Sequence, residues 1–97
     1  MTKARTVPVW IAVIAHRHGS DVYVAGTEKE LNDKVYAYVA EWWATELDIE
    51  DPSIGKFPAD EPDENKVIDS YFGFIAEESN DEYIEHWGCH EFKPAEA

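Results

Sequence analysis

Four histidines and a single cysteine are the residues of this 97-residue chain whose types could ligate a metal or supply a nucleophile. His16-x-His18 would place two imidazoles on one face of a strand, within reach of one ion. His86, Cys89 and His90 add ligands of the nitrogen and sulfur type that zinc takes. His16, His18, His86 and Cys89 therefore form a candidate metal or redox set. Against it, no Cys-x-x-Cys pair is present, and histidines flanking a turn are also ordinary polar turn residues. Cys89-His90 could be a thiol beside its base, but neighbours on a strand point to opposite faces. Paired carboxylates could act as general acid and base if burial separated their pKa values. The acids here fall on helix-surface and loop positions. There is no Gly-rich phosphate loop, no G-x-S-x-G elbow and no EF-hand pattern. The expectation is a protein that is not an enzyme and takes no cofactor.

Charge is the largest departure from average composition. Eight Lys+Arg stand against 21 Asp+Glu, a net −13. Residues 1–20 hold Lys3, Arg5 and Arg17 and no acid, which is +3; residues 21–97 hold all 21 acids and five lysines, which is −16. Such a field disfavours direct contact with nucleic acid or an anionic membrane and favours a basic protein partner. The acids cluster twice. Glu46, Asp48, Glu50, Asp51, Asp60, Glu61, Asp63 and Glu64 flank one long loop, and Glu77, Glu78, Asp81, Glu82 and Glu85 surround a later turn. On average the charge is too dilute to imitate a duplex. It amounts to roughly one net charge per 440 Å² of surface, against roughly one per 100 Å² on DNA. Only a local patch could act.

The elements that must position these groups are legible from periodicity. Val7–His16 alternates apolar residues on both faces, as a central strand does: Val7, Val9, Ile11 and Val13 on one, Trp10, Ala12 and Ile14 on the other. Turn chemistry at His18-Gly19-Ser20-Asp21 leads into a second strand, Val22–Ala25. Thr27-Glu28-Lys29-Glu30 is a capping box opening a helix to about Leu47. In that helix Trp42 continues the apolar stripe, whereas Trp43 lies about 100° round the axis. Trp43 either caps the core edge or stands among acids as a binding anchor. Asp48–Glu61 is a loop of the length that is often functional or mobile. A second helix spans about Pro62 to Glu78, and Glu82–Phe92 is a last strand. The result is a small α+β domain of order β-β-α-α-β, a three-stranded antiparallel sheet packed with two helices. Residues 1–97 form a single domain, with 1–6 and 94–97 as flexible ends. The run Val7–Ala15 reads as a strand, not a signal peptide, because no small-residue cleavage site follows. One cysteine fits a reducing, cytoplasmic setting.

Trp10-Ile11-Ala12-Val13-Ile14, His16-Arg17-His18-Gly19 and Glu41-Trp42-Trp43 resemble a group of short uncharacterised proteins carried by phages and mobile elements, over about half of the chain. In size and acidity the chain is similar in type to anti-CRISPR and other anti-defence proteins, many of which block basic nucleic-acid channels. The resemblance implies an inhibitor or adaptor that docks a local negative patch on a basic nucleic-acid-binding protein. Trp43 and the two acidic clusters would be the contact residues. The rivals are a metal or redox protein built on the histidines, and a homo-oligomer built on the apolar face of Val7–Ala15.

Overall fold

A computed structural model describes residues 7–78 and 81–92. The sequence-predicted flexible ends, 1–6 and 94–97, lie outside the described residues. The element order is the expected one: β1 (Val7–His16), β2 (Gly19–Ala25), α1 (Glu28–Glu46), α2 (Glu64–Glu78) and β3 (Tyr83–Phe92). β1 is the central strand, antiparallel to β2 on one side and to β3 on the other. The hairpin is tighter than turn chemistry implied. His16 pairs with Gly19, so Arg17-His18 alone make the turn and Gly19–Asp21 already belong to β2. Gly19 takes a φ of 135°, a value that a side chain would oppose.

Helices cover one face of the sheet only. Ala12 and Ile14 of β1 are fully buried, and the other side of the core comes from both helices, chiefly Leu31, Val35, Val39, Val67, Tyr71 and Ile75. The two helices run in the same direction. Asn32 bonds Glu64 near their N-termini, Tyr38 meets Tyr71, and Trp43 meets Phe74 further along. Parallel neighbours cannot be joined by a short turn, because the chain must first travel back along the helix, about 28 Å for 19 residues. That is why the connection is long. It is not a loose loop: Ile49, Ile54 and Phe57 pack on the core, and Gly55 accepts a 3.0 Å hydrogen bond from the Trp43 indole.

This strap corrects the reading of the tryptophans. Trp43 is 2% exposed and Trp42 is 36% exposed, the reverse of the stripe argument, so Trp43 is not a surface anchor. A single stripe assumes a single neighbour, whereas α1 has two. Tyr38 faces Tyr23 on the sheet side. Val39 and Trp43, four residues apart, lie under α2 and the strap, with Tyr71, Phe74 and Phe57 around the indole.

Caps fix the helix limits. Thr27 accepts the Glu30 amide at 3.2 Å, as the capping box requires. α2 begins at Glu64, two residues after Pro62, because Asp63 is its cap: the Asp63 carboxylate accepts the amides of Asn65 and Lys66.

Glu82 is also corrected, from surface acid to core. It is 7% exposed and accepts a 2.6 Å hydrogen bond from the Tyr71 hydroxyl, with Tyr38 as a second bonded phenol. Burial first, and the bond to Glu82 second, push both phenols well above the ordinary tyrosine range. The folded state thus keeps two protons that the unfolded chain releases near pH 10. Stability should be fully present below about pH 10 and fall above it, read as the urea midpoint against pH. Tyr71→Phe should flatten that fall and cost about 1–3 kcal/mol at neutral pH. Trp43→Ala should cost about 3–5 kcal/mol by leaving a cavity under the strap. Trp42→Ala should cost far less, and urea denaturation of the two variants checks the order.

Candidate partner-binding groove at the helix C-termini

Parallel helices gather like ends together. At one end of the molecule lie both helix N-termini, around an open cavity of about 700 Å³ lined by Glu28, Lys29, Asn32, Asp33, Pro62, Asp63, Glu64, Asn65 and Trp87. At the other lie both C-termini, with the β1–β2 turn, around a groove of about 590 Å³.

The acids of the first end have a use in folding. Carboxylates at a helix N-terminus meet the positive end of the dipole. Asp63 caps α2, Asn32 donates to Glu64, and Lys29 pairs with Asp33 at 3.1 Å. The Lys29 bond holds Asp33 below the usual carboxylate range, while burial and then Asp33 push Glu64 up.

At the second end the acids that close the helices oppose the dipole. Neither helix has a basic residue in its last turn, the position where a cation would be favourable. Instead Glu46 ends α1, and Glu77 and Glu78 end α2. The groove is lined by Asp21, Glu46, Glu78, Asp81 and Glu82, with Arg17 as its one Lys or Arg among the described residues. Arg17 reaches Glu46 at 3.3 Å, through a side chain that is 60% exposed. Trp42 stands beside these acids with Tyr38 at 6.4 Å, an aromatic surface next to a negative rim. Glu82 is already engaged by the two tyrosines, so Glu46, Glu78 and Asp81 form the rim.

The long-loop acids are mostly consumed by the strap itself. Asp48 accepts the Glu50 amide, Glu61 accepts the Asp63 amide, and Asp51 accepts both the amide and the hydroxyl of Ser53. The Ser53 bonds hold Asp51 below the ordinary carboxylate value. Glu50 and Asp60 remain exposed. One sequence cluster thus divides in space: Glu46 joins the later acids at the C-terminal groove, and Asp63 and Glu64 go to the opposite end.

The histidine set is not brought together. His16 ends β1 beside the turn, its Nδ1 accepting the His18 amide at 3.2 Å and its Nε2 at 3.4 Å from Asp21. His86 pairs with Val13 and so lies on the sheet face away from the helices, whereas Cys89 pairs with Trp10 on the helix side. Cys89 is exposed rather than packed, at an end of the sheet where Pro8 and Glu91 are exposed too. Among the described residues no group of three or more His, Cys, Asp or Glu side chains could hold a metal ion. The contact that sequence reading missed is His86 with His90, whose Nε2 atoms are 2.7 Å apart. Their rings meet over Gly88, where any side chain would stand 3.5 Å from His86 Nε2. His-x-Gly-x-His was the available signal.

No protein-family model, curated protein or solved structure matches this chain. Among the described residues no helix is long and apolar enough to cross a membrane.

If the C-terminal acids do nothing for folding, reversing them should help it. Glu77→Lys with Glu78→Lys should raise stability by about 0.3–1 kcal/mol per site. Thermal unfolding at low salt measures it, and the gain should shrink at high salt.

Proposed function

We propose that this protein is a non-enzymatic binding protein that docks on a basic nucleic-acid-binding protein by taking an Arg or Lys side chain between its two helix C-termini. One observation carries the reading. Glu46, Glu78 and Asp81 crowd the negative ends of both helices around a half-exposed Trp42, where they oppose the dipoles and favour a cation. A guanidinium there would stack on the Trp42 ring and be neutralised by the rim. At Glu46 it would compete with Arg17, which comes from the chain itself. Exposed acids outside the groove, among them Glu50, Asp60 and Glu77, would steer a basic surface toward it. This is a local patch rather than a duplex mimic. It agrees with the inhibitor or adaptor role that the likeness in type to phage and mobile-element anti-defence proteins implies.

An arginine-rich peptide, titrated against the tryptophan fluorescence at low and moderate salt, tests the groove. Trp42→Ala with Glu78→Gln should weaken binding about tenfold and reduce its salt dependence. Glu50→Gln with Asp60→Asn removes the same or more charge elsewhere and should change affinity by about twofold or less. Equal losses from the two variants would mean that general acidity, not the groove, attracts the peptide, and the reading would fall.

A further inference from the structure

Among the described residues nothing covers the sheet face turned away from the helices. That face presents Val7, Val9, Ile11 and Val13 of β1, and Val22 and Val24 of β2, with Ile11 opposite Val24 and Val13 opposite Val22. Val22 is 61% exposed, and Val7 and Val24 are each 47% exposed. Its β3 part carries His86, Gly88 and His90, and no Asp, Glu, Lys or Arg occupies a paired position of the face; Glu85, the unpaired residue at the β3 bulge, is exposed beside it. We infer that this face is a homodimer interface, packed sheet to sheet against a second copy of the chain.

Charge selects the second copy over other occupants. In a molecule of net −13, a face whose β1 and β2 positions are apolar and whose nearest acid is Glu85 at the β3 bulge is where two like-charged copies can meet. Facing sheets lie about 10 Å apart, and the helix layers lie outside them by about another 10 Å each. The acidic layers of the two copies are then about 30 Å apart, several Debye lengths at physiological salt. A basic partner would be drawn to the acidic helix side instead, and an anionic membrane would be repelled by the whole field. Shape agrees, because β-branched side chains on two adjacent strands make a surface suited to aligned sheet packing.

Area sets the strength. Strands of 10, 7 and 10 residues give a face of roughly 440 Å². Two copies would bury roughly 900 Å², just below the ~1,000 Å² at which specific interfaces begin. The dimer is therefore reversible, with a dissociation constant in the micromolar range or weaker.

Sedimentation velocity of the full chain from about 5 to about 500 μM tests this. A monomer–dimer equilibrium should appear as concentration rises, no weaker at high salt than at low. Val22→Lys with Val24→Lys should weaken it at least tenfold while leaving circular dichroism and the urea midpoint unchanged. Val22→Thr with Val24→Thr, which keeps β-branching, should weaken it if the lysines disturb the fold. Glu46→Gln with Glu78→Gln should leave it intact, so this inference and the groove fail separately. A monomer at every concentration overturns it. So does a dimer that both sheet variants leave intact, which would place the contact on a strand edge or on the helix layer.

Discussion

Two helices that run in the same direction are the constraint on which the rest of this structure depends. The chain leaves α1 at one end of the molecule and must enter α2 at the other. The strap that makes this journey needs an anchor. It finds one in the indole of Trp43, which donates to Gly55 while Phe57 packs on its ring. Trp43 is thus shared by three elements, α1, α2 and the strap. An antiparallel pair joined by a short turn would have had no reason to bury it.

The same arrangement sorts the charge. Antiparallel helices put one positive and one negative dipole end at each pole, whereas parallel ones double them. Acids at the N-terminal pole then serve the fold, and the acids that end the helices at the C-terminal pole act against the dipole, while Glu82 beside them is held in the core by Tyr71. A cluster that looks uniform along the chain becomes two populations with opposite energetic meaning. That difference, rather than the total of −13, sets the proposed groove apart from the rest of the acidic surface.

The order of elements was legible in the sequence because each carries a periodic apolar pattern and a punctuating cap. Val7–His16 announced a central strand through its two apolar faces, and Thr27 announced α1. What periodicity could not contain was a second neighbour. The stripe places Trp42 in the core and leaves Trp43 between core edge and surface, because a stripe describes one partner, and the strap and α2 supply another. Glu82 read as one more acid of a turn, since nothing local shows that Tyr38 and Tyr71, 44 and 11 residues away along the chain, converge on it. The groove was hidden for the same reason. Glu46 and Glu78 meet only because the helices are parallel.

The position of β1 has a consequence for how the molecule is made. Its hairpin with β2 can close within the first 25 residues, but its other edge waits for β3, whose partner residues lie as far away as Phe92 opposite Val7. Every other element lies inside that closure. During synthesis the most apolar strand of the chain therefore stands with one edge open until residues 83–92 have emerged. Contacts so distant along the sequence make for slow folding and for nascent chains that are prone to associate. The acids that fill residues 21–97 keep such chains apart by mutual repulsion throughout that interval.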